Sequence, residues 1–295
     1  MKRFLLKITI FLCIGTTFFS SLFYIQNKHL KNKTVYSFKP NYENLLLGHS
    51  HMEVAVNDSL LDYSKNIAYQ GESYFYTFFK LKLALEQNKN IKNVYVEFTN
   101  NQVLKRMEKK IYEKKYLDRS LSYYMPFFEC NDYKTLLKLS KEQLISASGN
   151  SLLKNFIRIK NDDYKLNKKL GKYLFLDRTL QLNEKNKKKS IEEVFSINDY
   201  KTSITYLSLK KIENLCKSKN VNLVFVRSPL HSDSNLRLYE KEFLGIREAL
   251  FSNIEFIDNI NFNLSNDSFA DKEHLNYKGA RVYTKYFKEQ IEVGG

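Results

Sequence analysis

Three residues far apart in the chain have the types and local setting of a serine acyl-transfer site. Ser50 follows an apolar run, Leu45-Leu46-Leu47, that stops at Gly48, and it is flanked by His49 and His51. Near the C-terminus the stretch FADKEHLNYKGA carries Asp271 and His274 three residues apart. A serine hydroxyl becomes a nucleophile when a base takes its proton, and the base works when a carboxylate orients it. Asp271 can accept a hydrogen bond from one imidazole nitrogen of His274 and leave the other nitrogen facing Ser50. The charge that develops on an ester carbonyl then needs hydrogen-bond donors. The backbone N–H of Ser50 is one candidate, and Gly71, at a helix start, offers another N–H with no side chain in the way. Asn100 can supply an amide N–H, and Asn101 rivals it, because the strand end before them can be set one residue either way.

Other polar residues near these positions have plainer readings. His51 packs beside the site or touches substrate. Glu97 lies within a strand and makes a structural hydrogen bond to a loop. His231 follows a strand and lines the cleft without an assigned role. His49-x-His51 with Asp271 and His274 would make a zinc shell. These histidines are expected to enter a helix, where residues two apart point away from each other, so no metal and no other cofactor is expected.

The elements that must position these residues alternate. ENLLLG, KNIAYQG, NVYVEF and VNLVFVRSP read as short buried strands, and IEFID as a last one. ESYFYTFFKLKLALEQN, INDYKTSITYLSLKKIENLCKSKN, NLRLYEKEFLGIREALFS and NYKGARVYTKYFKEQI have helical spacing. Strand and helix in alternation predict a three-layer α/β/α sandwich on a parallel sheet, flavodoxin-like, with ligands beyond the carboxyl ends of the strands. Residues from about 102 to 200 break the alternation. They predict a helical insertion after the third strand, with NSLLKNFIRIKNDDYKLNKKLGKYLF helical and a lysine-rich loop near 183–190.

Gly48-x-Ser50 after the first strand, Gly71 after the second, Asn100 after the third and Asp271-x-x-His274 near the end together resemble the SGNH hydrolase superfamily, the GDSL-like esterases. That resemblance implies Ser50 as nucleophile, His274 as base, Asp271 as its orienter, and Gly71 and Asn100 as oxyanion donors. Two blocks depart from the family pattern: Gly48-His49-Ser50 stands where Gly-Asp-Ser is usual, and FTNN stands where Gly-x-Asn-Asp is usual. The GHSH start, an apolar N-terminus and DKEHLNYKGA are similar to exported, polysaccharide-modifying branches. Those branches include the alginate acetylation proteins and the D-alanyl-transfer protein of teichoic acid synthesis.

Lys2, Arg3 and Lys7 precede ITIFLCIGTTFFSSLFYI, which is long enough to cross a bilayer. The basic flank stays in the cytoplasm, so the domain is expected on the periplasmic, extracytoplasmic side of a single-pass cell-membrane anchor. No small-x-small cleavage site is evident, which favours an anchor over a cleaved signal peptide. The expected layout is an anchor over 1–25, a polar tether over 26–42 and one domain over 43–295. The net charge of +16 is spread among acidic residues, with no zinc-finger spacing and no RNA-binding aromatic signature, so nucleic acid is not an expected partner. The expected partners are the membrane, an acylated glycan or small ester, and an envelope protein.

The leading expectation is an exported serine esterase or O-acyltransferase acting on an acylated cell-envelope glycan or related ester. A second reading is a non-catalytic envelope protein that binds glycan or scaffolds a complex on the same fold. A third is a metal-dependent hydrolase.

Overall fold

A computed structural model describes residues 1–167, 169–181 and 192–293, so the lysine-rich loop expected near 183–190 lies outside the described residues. The elements in order are α1 (Lys2–Lys33), β1 (Asn44–Leu47), α2 (Ser50–Ala55), β2 (Ser64–Asn66), α3 (Tyr74–Gln87), β3 (Asn93–Glu97), α4 (Arg106–Tyr112), α5 (Lys114–Tyr124) and α6 (Cys130–Lys160). They continue with α7 (Ile197–Thr202), α8 (Ile204–Ser218), β4 (Asn222–Arg227), α9 (Glu240–Phe251), β5 (Glu255–Asp258) and α10 (Tyr277–Val293). The chain divides into two compact units. One comprises Met1–Val35 with Tyr112–Leu166, and the other Tyr36–Ile111 with Asn167–Gly295.

The first unit is helical. α1 continues to Lys33, so the tether expected from residue 26 is helical over its first part. Gln26 and Leu30 are buried, whereas the apolar side chains before them are exposed. At 32 residues α1 is about 48 Å long. It is long and apolar enough to cross a membrane, as an anchor or as a signal sequence. α5 packs along α6, which bends at Ser140, where the backbone leaves helical geometry. Tyr164 Oη lies 3.0 Å from His29 Nε2 and ties the end of this unit to α1.

The second unit is an α/β sandwich on a five-stranded parallel sheet of order β2-β1-β3-β4-β5. The central strands β1, β3 and β4 are nearly continuous apolar runs because both sheet faces are covered there, whereas the edge strands β2 and β5 are more polar. Alternate residues of each strand enter opposite layers. Leu46, Tyr95, Val224 and Val226 pack with Met52 of α2 and with Tyr283 and Phe287 of α10. On the other side Phe98 meets Phe225, Phe243 and Phe251 at ring-centroid distances of 4.9, 5.0 and 5.4 Å. The order reverses at β1, since β2 pairs with one edge of β1 and β3 with the other. In doubly wound sheets the crevice outside the strands at such a point is where ligands bind.

Two expectations need correction. β2 stops at Asn66, short of the strand expected to end at Gly71. The Asn66 side chain turns back to the carbonyls of Met52 (3.0 Å) and Val56 (2.7 Å), and past it single bonds from Ile67 N to Leu46 O (2.9 Å) and Tyr69 N to Gly48 O (3.0 Å) keep the chain beside β1. Helix α6 ends at Lys160, and the helix expected through Leu174-Phe175 is absent. Asn161-Asp162-Asp163 forms a turn with Asp162 at φ 49°, a conformation that short polar side chains tolerate. Residues 171–181 then run without regular structure. Leu174 N donates to the Glu53 carbonyl (2.9 Å), Leu180 N to Phe269 O (2.8 Å), and Leu176 O accepts from Tyr277 N (2.8 Å).

Candidate active site

The site sits wholly in the sheet unit, at the carboxyl end of β1. Gly48 closes the strand with φ +149°, in the range that favours glycine. A Cβ here would stand 2.5 Å from Glu97 Oε2 and closer still to the Glu97 Cβ. Gly48→Ala is therefore expected to cost about 3 kcal/mol or more, from strained backbone plus overpacking, read as a lower urea midpoint at unchanged m-value.

The tight turn sets His49 as the N-cap of α2 and Ser50 as its first helical residue. Glu97, fully buried at the end of β3, holds that turn. Its Oε2 accepts the N–H of His49 and of Met52, both at 2.9 Å. The structural hydrogen bond expected of Glu97 is thus two bonds to the segment that carries Ser50. The N–H of Ser50 faces no partner among the described residues, as befits a first-turn donor.

From the other end of the chain, the loop before α10 delivers the base. His274 Nε2 lies 2.8 Å from Ser50 Oγ, and His274 Nδ1 lies 2.8 Å from Asp271 Oδ1. The same carboxylate oxygen accepts the N–H of Glu273 (2.9 Å) and of His274 (3.0 Å), while Oδ2 accepts from Arg178 Nη2 (2.5 Å). Burial opposes the charge on Asp271. The hydrogen bonds from His274, Glu273 and Arg178 outweigh it and hold its carboxyl well below the usual carboxylate range. Asp271 is therefore an acceptor throughout the working range, which keeps the proton of neutral His274 on Nδ1 and the lone pair of Nε2 toward Ser50. Arg178, in the irregular segment after α6, has no sequence signal of its own.

The two asparagines separate. Asn100 donates from Nδ2 to Glu240 Oε2 (2.7 Å) and accepts at Oδ1 from Arg227 Nη1 (3.0 Å). Arg227 is buried and also engages Glu240 and Asp258. The Asn100 carboxamide is consumed by this ion-pair cluster, which corrects its assignment as an oxyanion donor. Asn101 Oδ1 instead faces His49 Nε2 (3.2 Å) and Thr99 Oγ1 (2.9 Å), and its Nδ2 makes no hydrogen bond among the described residues. Gly71 lies in a turn at φ 67°, and the loop before it is pinned to β1 by Tyr69 N donating to Gly48 O (3.0 Å).

The histidines flanking Ser50 do not point apart as a helix would require, because His49 precedes the helix. The His49 and His51 rings meet edge-on at 5.1 Å, and His51 meets His274 at 5.0 Å. His51 is 2% exposed, so it packs beneath the base rather than presenting itself to substrate. Burial first, then neighbouring positive groups, hold both imidazoles well below their ordinary pKa, so they are neutral at pH 7. One donor atom each from His49, His51 and Glu97 lies within 4.8 Å of the others, a set chemically suited to a divalent metal. Two observations weigh against a cation there. Glu97 already spends one oxygen on two N–H groups, and Lys110 and Arg106 add positive potential at His49. The zinc shell read from the sequence also fails in detail, since Asp271 and His274 are turned to each other and to Ser50. His231 is engaged at both ring nitrogens, with Asn266 Oδ1 (2.9 Å) and the Asp233 N–H (3.1 Å), which is a loop-holding role.

A family model that carries no functional description matches residues 152–293, short of half the chain. The match includes the Asp271–His274 loop and not Ser50. No curated protein matches the chain. A solved structure from Streptococcus pneumonia, provisionally described as a platelet activating factor, is similar with 9% identity and a TM-score of 0.38, covering 96% of this chain and 99% of its own. A likeness at that score carries no argument about activity.

Proposed function

We propose that this protein is a membrane-anchored serine esterase or O-acyltransferase of the SGNH type. The observation that carries the reading is the unbroken chain Ser50 Oγ, His274 Nε2, His274 Nδ1, Asp271 Oδ1, with 2.8 Å at both links between residues. Ser50 Oγ attacks an ester carbonyl as its proton passes to His274 Nε2, and Asp271 stabilises the imidazolium that forms. The tetrahedral oxyanion takes hydrogen bonds from the N–H of Ser50, the N–H of Gly71 and Nδ2 of Asn101. Collapse expels the alcohol, which leaves with the proton from His274, and an acyl-Ser50 remains. Water, or a sugar hydroxyl activated by the same histidine, then accepts the acyl group.

The substrate class follows from the address. A helix long and apolar enough to cross a membrane precedes the domain, and Lys2, Arg3 and Lys7 flank its start. A basic flank is usually kept on the cytoplasmic side, which supports an extracytoplasmic domain, where O-acylated glycans and other envelope esters are found. The test is covalent. Full-length protein in detergent, treated with a fluorophosphonate, is expected to gain one adduct that peptide mass spectrometry places on Ser50, with none in Ser50→Ala. A folded parent that stays unlabelled would sink the esterase reading and leave a glycan-binding protein on a hydrolase-like fold.

A further inference from the structure

We infer that His49 is a positioning residue: its Nε2–H sets the Asn101 carboxamide so that the NH2 group is left for the oxyanion. This rests on the esterase reading above. The argument is one of donors and acceptors. His49 Nε2 lies 3.0 Å from Glu97 Oε1 and 3.2 Å from Asn101 Oδ1. Glu97 Oε1 makes no hydrogen bond among the described residues, so the tautomer is set by acceptors: a proton on Nε2 meets Asn101 Oδ1, whereas a proton on Nδ1 would be a buried donor with no acceptor. The ring is neutral, so Nδ1 is then bare, in keeping with the lack of any partner for Nδ1 among the described residues.

The second contact of the Asn101 oxygen, Thr99 Oγ1 at 2.9 Å, cannot fix the amide by itself. A hydroxyl donates to a carboxamide oxygen or accepts from a carboxamide nitrogen equally well. His49 in the Nε2–H form only donates at that nitrogen, and so it alone distinguishes the two amide orientations. The chosen orientation turns Oδ1 inward and leaves Nδ2 as a donor with no hydrogen-bond partner among the described residues. Asn100 cannot substitute, because Arg227 and Glu240 hold both ends of its carboxamide. Glu97 Oε2 fixes the turn that presents both His49 and Ser50, so one clasp sets the imidazole beside Asn101 and the hydroxyl beside His274.

The test is a double-mutant cycle on p-nitrophenyl acetate with the full-length protein in detergent. Asn101→Ala is expected to lower kcat by about 10² to 10³ with KM little changed, since the bond it removes forms only in the transition state. His49→Phe keeps the ring packing against His51 and removes the donor. It should lower kcat about tenfold or more, with KM again little changed. Adding His49→Phe to Asn101→Ala should cost nothing further, because the amide it acts through is gone. His49→Gln restores an N–H at similar reach and should recover most of kcat, which separates positioning from simple loss of packing. Parental kcat in His49→Phe, multiplicative losses in the double variant, or failure of His49→Gln to recover would each overturn the inference while the esterase reading stands. A parent with no Ser50-dependent turnover overturns both.

Discussion

Ser50→Ala and His274→Ala are each expected to reduce hydrolysis of p-nitrophenyl acetate on the order of 10⁴-fold or more, and the double variant to be no slower than either alone. Nucleophile and base act as one unit, so removing either removes the covalent route, and what is left comes from binding and oxyanion donors. KM should change little, since neither side chain is needed to hold the ester before attack. Asp271→Asn should fall less far, about tenfold or more. The N–H groups of Glu273 and His274 hold the amide oxygen at the Oδ1 position, so His274 keeps its orientation, while the charge that stabilises the imidazolium is lost and the NH2 is left against Arg178. The three variants therefore separate roles that a single inactive mutant cannot. If neither Ser50→Ala nor His274→Ala lowered turnover, the 2.8 Å contact between them would be a half-buried polar pair without chemical use. Equal activity in all three and the parent would assign any turnover to another group.

The meeting of Ser50, His274 and Asp271 was legible in the sequence because each carries a local signal. An apolar run stopping at Gly48 marks a strand end, and Asp-x-x-His before an amphipathic helix marks a loop that can supply two groups at once. The sheet brings them together because β1 sits at the reversal of strand order. What failed was set by partners distant in sequence. Asn100 and Asn101 are chemically identical neighbours, and the choice between them is made by Arg227 and Glu240, more than a hundred residues away. The argument that His49 and His51 diverge assumed that both are helical. The strained Gly48 puts the helix boundary between them. The helix expected through residues 161–175 does not form because the apolar spacing continues past a turn, Asn161-Asp162-Asp163, that ends α6. The strap that follows brings Arg178 to Asp271, a contact no local pattern reports.

Glu97→Gln is expected to move stability and activity differently, and the reason lies in the sign of one ionisation. Burial raises the Glu97 carboxyl from 4.5 to about 7, and the N–H bonds from Met52 and His49 only partly offset this. Its folded pKa lies above the unfolded one, so between those two values the folded state binds more protons. Stability from this group therefore falls as pH rises through the window. Glutamine carries no such charge, and His49 and His51 titrate in both proteins. The stability of the variant relative to the parent should thus rise by roughly 2 to 3 kcal/mol between pH 5 and pH 8, read as urea midpoints across that range. Catalysis should move the other way at pH 8, where the parent's carboxyl is ionised. The glutamine carbonyl can replace Oε2 on the two backbone N–H groups, and its NH2 then replaces a negative oxygen 3.0 Å from His49 Nε2, which disfavours the proton there. With that proton displaced the Asn101 amide loses its preferred orientation, and kcat should drop about tenfold, with Ser50 still open to fluorophosphonate. Parallel losses of stability and kcat with no change in pH dependence would mean that Glu97 is ionised when buried and acts only as the clasp of the β1–α2 turn.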